Sequence, residues 1–126
     1  MGPKRPRPVV LDAGALIAVE RADRRMIRLL ELAEEVHVPA GALAQAWRNP
    51  ARQVRLGRVV SAEDVVIHPL DHLSARACGQ LCAATAASDV IDASVVLVAR
   101  QVHGVTLTSV LDDLRRLDPG IDLVGC

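Results

Sequence analysis

Residues 8–19 read Pro8-Val9-Val10-Leu11-Asp12-Ala13-Gly14-Ala15-Leu16-Ile17-Ala18-Val19. An apolar, β-branched run predicts a short strand over 8–11, and the Ala- and Leu-rich stretch after Asp12 predicts a helix over 13–19. Asp12 therefore sits where a strand ends and a helix starts. The same alternation continues outward. Helix is expected over 24–35, strand over 36–38, helices over 41–47 and 50–60, strand over 65–67, and helices over 73–84 and 88–101. Strand over 105–107, helix over 111–117 and a last edge strand over 121–124 complete the series. Short strands alternating with helices predict an α/β fold, a mainly parallel sheet covered by helices.

Composition narrows the function. The 126 residues suit one domain with one core. They are 51% hydrophobic, yet Trp47 is the one aromatic residue. The core must therefore be aliphatic, and the ring-stacking platforms of RRM and OB-type nucleic-acid binders are excluded. Fifteen basic residues balance fifteen acidic ones, so any nucleic-acid footprint has to be local. Cys78, Cys82 and Cys126 are odd in number and match no framework spacing, which points to a reducing, cytoplasmic setting. Residues 1–7 read as a flexible basic N-terminus and 8–126 as the domain. No stretch reads as an export signal or a membrane span.

In a parallel sheet with right-handed crossovers, the carboxyl ends of the strands share one edge, and ligands bind there. Asp12 closes strand one, Asp89 and Asp92 open the helix before strand four, and Asp112 and Asp113 open the helix after it. Strands one and four are expected to be neighbours, so these acids can converge. Helix capping explains Asp12, Asp89 and Asp112 equally well one at a time. Asp92 fits that explanation badly, because it falls in the apolar run Val90 to Leu97 with no nearby cationic partner. Converging carboxylates repel, and a hard divalent cation is the usual remedy; an all-oxygen set suits Mg²⁺ or Mn²⁺ and metal-assisted phosphodiester hydrolysis.

The segments LDAGALIA, VPAGALAQAWR, TAASDVIDASVVLVA and TSVLDDL occur in that order. Together they resemble the PIN-domain ribonucleases, specifically the VapC-type toxins of toxin–antitoxin pairs, across essentially the whole chain. The resemblance implies a PIN-like three-layer sandwich with a five-stranded sheet, Mg²⁺- or Mn²⁺-dependent RNA cleavage, a cognate antitoxin and a homodimer. By position, Asp12 and Asp92 match metal-binding acids of that family, and Asp89 matches a frequent companion. Gln45 stands where the family usually has Glu, and Val110 where it usually has Asp, while Asp113 matches the second acid of the late turn. Asp89 and Asp113 are expected to act at the edge of the metal site or through water. Gln45, Thr108 and Ser109 are expected to position water or phosphate. The two departures keep a second reading open, a degenerate PIN domain that binds RNA or a protein without cutting.

Arg48, Arg52, Arg55 and Arg58 recur at i, i+4, i+7 and i+10, which predicts a basic helical stripe able to grip RNA phosphates. A solvated face or an antitoxin dock explains the same spacing. Arg24, Arg25 and Arg28 are expected to pair with Glu31, Glu34 and Glu35. Cys78 and Cys82 read as small buried residues, and His68 and His72 as surface polar groups. No glycine-rich phosphate loop is present, and Lys4 is the sole lysine, which argues against nucleotide hydrolases and receiver domains.

Overall fold

A computed structural model describes residues 7–126; residues 1–6, most of the stretch read as a flexible N-terminus, lie outside the described residues. The elements in chain order are β1 (Val9–Leu11), α1 (Ala13–Glu20), α2 (Arg24–Leu32), β2 (Val36–Pro39), α3 (Ala40–Ala46) and α4 (Val54–Val60). They continue with β3 (Val65–His68), α5 (His72–Thr85), α6 (Val90–Val102), β4 (Val105–Thr108), α7 (Leu111–Leu117) and β5 (Leu123–Gly125). All four strand pairings are parallel, in the order β3-β2-β1-β4-β5. Right-handed crossovers carry α1–α4 over one face of the sheet, where the chain steps from β1 to β3. The return to β4 and onward to β5 reverses direction, so α5–α7 cover the other face. The expected three-layer α/β sandwich with a five-stranded sheet is what forms, with β5 at an edge.

The core is aliphatic as composition requires. Val10, Leu11, Leu16, Val38, Leu56, Val96 and Leu114 are fully buried, with Cys78 and Cys82 among the buried residues. No single helix is long and apolar enough to cross a membrane. The apolar α6 instead buries Ala93 to Val96, Val98 and Ala99, packing against β1, β2 and β4.

Several element ends differ from expectation for local reasons. The helix expected over 24–35 stops at Leu32, where Ala33 turns extended. The helix expected over 50–60 starts only at Val54. Residues 48–53 are occupied in ending α3: the Gln53 side chain donates to Ala46 O at 2.8 Å and accepts from the Arg48 and Asn49 amides at 2.7 and 3.0 Å. A side chain that closes one helix sets where the next begins. The basic stripe therefore does not exist as a helical face. Arg48 folds back on the carbonyls of Ala44 and Trp47 at 3.0 and 2.7 Å, satisfying orphan groups at the end of α3. Arg55 donates to Glu20 O at 3.0 Å. Of the pairs expected on α2, Arg28 with Glu31 is the one within 4.0 Å among the described residues, at 3.9 Å.

His68 is not the surface group it was expected to be. Its Nε2 lies 2.7 Å from Nδ1 of His37, which is buried, and His37 Nε2 lies 3.4 Å from a Glu35 carboxylate oxygen. One ring must accept the proton the other donates, an arrangement that fails when both are charged. Burial first, then the neighbouring His37, hold His68 below its ordinary value. A histidine whose folded value is lowered stabilises the fold above its unfolded value and loses that contribution as pH falls through the folded one. Thermal unfolding followed by circular dichroism should therefore show the melting temperature falling as the pH drops below about 6.5. His68→Gln should flatten that fall, and parallel curves for the two proteins would refute the coupling.

Candidate active site

Six of the predicted residues meet in one place. Asp12 from the end of β1, Gln45 from α3, Asp89 and Asp92 from the start of α6, and Asp113 from α7 line a single cleft of about 300 Å³, with Ser109 and Val110 from the β4–α7 turn. Strands β1 and β4 are adjacent. The cleft therefore lies at the carboxyl edge where the chain reverses direction across the sheet, as the topology requires. Asp112 points elsewhere. It is exposed, with a carboxylate oxygen 3.8 Å from Arg115.

Asp12 is held more tightly than capping alone demands. It is 4% exposed; Oδ1 accepts from Ala15 N at 2.9 Å, and Oδ2 accepts from the Thr108 hydroxyl. Thr108 Oγ1 in turn accepts from Val110 N at 2.9 Å. Thr108 is fully buried and lines no part of the cleft. The expectation that it contacts substrate is thus replaced by another role, orienting Asp12 across the β1–β4 junction.

Asp89 caps α6 through the amides of Ile91 and Asp92, both at 3.0 Å. The Asp92 side chain makes no hydrogen bond within the chain among the described residues, and no cation lines the cleft. Burial, followed by the charges of Asp89, Asp113 and Asp12, pushes its carboxyl up to about 6. An acid so raised is an unfinished electrostatic arrangement, completed by a proton or by a cation.

The donor set consists of hard oxygens, which fits Mg²⁺ or Mn²⁺. Among the described residues, however, no three His, Cys, Asp or Glu side chains are close enough to form a finished cage. Asp12, Asp89, Asp92 and Asp113 are the residues that could hold such an ion there with its waters kept. Mg²⁺ sheds its waters reluctantly and is commonly held in this way.

The residue that sequence reasoning missed is Gly14. A Cβ there would lie 2.8 Å from Ser109 Cβ, closer than such atoms approach. The first turn of α1 and the β4–α7 turn can pack this closely because Gly14 has no side chain. Gly14→Ala should push the turn outward, at a cost of roughly 1–3 kcal/mol for overpacking. A lower melting temperature and weaker Mn²⁺ binding by calorimetry should appear together. If neither moves, the turn is not held by this contact. No sequence pattern marks the contact, because its partners are 95 positions apart in the chain.

Arg48, Arg52 and Arg55 do not line the cleft. Of the residues expected to position water or phosphate, Gln45 and Ser109 line it.

The arrangement of elements is shared with known structures. VapBC2 from Rickettsia felis bound to a DNA fragment from their promoter is similar at a TM-score of 0.70 and 14% identity, covering 94% of this chain and 98% of that one. FitAB bound to an IR36 DNA fragment is similar at 0.64 and 14%, covering 93% and 94%; FitAcB from Neisseria gonorrhoeae at 0.60 and 14%, covering 91% and 95%. The chain has a PIN-like fold. No family model matches the chain, and no curated protein matches its sequence. At 14% identity the likeness is one of fold, so the chemistry rests on the cleft itself.

Proposed function

We propose that the protein is a metal-dependent ribonuclease, the toxin half of a toxin–antitoxin pair. The observation that carries this reading is the cleft: four carboxylates from three separated segments converge with no compensating cation. The resemblance of the four sequence segments and the fold shared with VapBC2 and FitAB support the same assignment and a protein partner. Mg²⁺ or Mn²⁺, when bound, would offset the phosphate charge and acidify water for attack on phosphorus.

The chain's own residues supply the rest. Asp12, fixed by Thr108 and the Ala15 amide, offers a carboxylate whose direction is set before any ligand arrives. Asp92, its carboxyl raised to about 6 by burial and neighbouring acids, has no cationic partner lining the cleft and is the acid with most to gain from a bound cation. Gln45 and Ser109 present neutral hydrogen-bonding groups to the phosphate side of the cleft. Val110 offers none.

Purified protein, free of partner, should cleave structured RNA with Mn²⁺ and leave it intact with a chelator. Cleavage that ignores the chelator would refute the proposal. The second reading, an RNA- or protein-binding domain that does not cut, is favoured by Gln45, Val110 and the absence of a finished cage among the described residues. It predicts RNA retention without product, with or without metal. A homodimer and a cytoplasmic setting belong to the same proposal.

A further inference from the structure

The acidic cleft does not end at its carboxylates. On one side Asp89, Asp92 and Asp113 also line a second depression, which continues to Ser88 and Arg116. On the other side Gly14, Ile17 and Ser109 are shared with a third, which continues to Arg21 and Asp23. The three depressions therefore form one trough. Its middle is acidic, and an exposed arginine stands toward each end.

Both arginines are available. Among the described residues neither guanidinium takes part in an ion pair or a side-chain hydrogen bond, whereas Arg7, Arg28, Arg100 and Arg115 are all paired with acids. The one acid lining the Arg21 end, Asp23, already accepts from Met26 N at 2.9 Å as the cap of α2. Arg24, Arg25, Arg52, Arg58 and Arg76 are likewise without a side-chain partner among the described residues, but none of them lines the trough; Arg21 and Arg116 are the arginines that do.

We infer that Arg21 and Arg116 bind the backbone phosphates flanking the reacting one, so that a single-stranded nucleic acid lies along the trough with its scissile phosphate over Asp12 and Asp92. This inference rests on the nuclease reading and adds to it the path and the substrate class. The recognised chemistry is a repeating phosphodiester. A guanidinium suits it through paired N–H donors, and a bound divalent cation offsets part of the carboxylate charge at the centre of the trough and so lessens its repulsion of the strand. A folded duplex presents its phosphates on a wide, stiff surface, while an unpaired strand can bend into a narrow trough.

The test uses a fluorescent 12-nucleotide single-stranded RNA, a length chosen as roughly that of a strand-binding site. Anisotropy is followed against salt in the wild-type protein with Ca²⁺ at fixed concentration in place of Mn²⁺, a hard cation that offsets the cleft charge, and a gel confirms that the strand stays whole. Each phosphate neutralised on a single strand contributes about 0.7 to the slope of log affinity against log salt. Arg21→Ala and Arg116→Ala should each flatten the slope by about that amount, and together by about twice as much. Arg21→Lys should restore it, because charge rather than shape sets the slope, and Arg52→Ala should leave it unchanged. A DNA strand of the same sequence should show the same two decrements if phosphates alone are read.

Unchanged slopes in a protein whose wild type cleaves RNA would overturn the path and leave the nuclease reading standing. Altered slopes with no cleavage by the wild type would support the path and return the function to binding. Wild type that neither binds nor cuts the strand would overturn both.

Discussion

Asp92→Asn should reduce metal-dependent RNA cleavage at least about a hundredfold, the scale on which even outer partners of metal ligands matter. The same change should leave the fold better off without metal. Asp92 has its carboxyl raised to about 6 by burial and by three neighbouring acids, so the folded state holds a proton that the unfolded chain has released. Stability tied to this group is intact below its unfolded value near 4 and declines as pH rises toward 6. Asn keeps the shape and removes the charge. In chelator at pH 7 the variant should melt above the wild type, and below about pH 4 the two should coincide. Mn²⁺ should raise the melting temperature of the wild type and not of the variant. Equal cleavage by both proteins, or a wild type more stable than the variant in chelator at pH 7, would remove Asp92 from the site.

Val110→Asp should act in the opposite direction. Val110 lines the cleft beside Asp113 and stands where the resembled family carries an acid. A further carboxylate facing a divalent cation should tighten Mn²⁺ binding about tenfold, or roughly 1.4 kcal/mol. In chelator it should lower the melting temperature, since one more like charge joins a site that already raises Asp92. Calorimetric titration and thermal unfolding on one sample measure both. Unchanged Mn²⁺ affinity would show that position 110 does not reach the ion.

The architecture was legible because strand–helix alternation and the handedness of crossovers turn chain order into position. Asp12, Asp89, Asp92 and Asp113 could be placed at one edge from sequence, and they are there. The misplaced features depend on contacts between distant residues. Thr108 read as a free hydroxyl, since nothing local shows that Asp12 consumes it. The arginine spacing over 48–58 fits a helix, but Gln53 uses its side chain to end α3 and delays the next helix to Val54. His68 met His37 only when β2 and β3 paired in register. Arg21 and Arg116 carried no pattern at all, and only the course of the trough distinguishes them from other surface arginines.

The double attachment of Asp12 bears on how knock-outs of this protein should be judged. An Asp12→Ala chain loses the anchor of its first helix together with the acceptor for a buried hydroxyl, so silence in an assay would report scarce native material as much as absent chemistry. Asp92, whose carboxylate supports no other part of the molecule, is the cleaner switch.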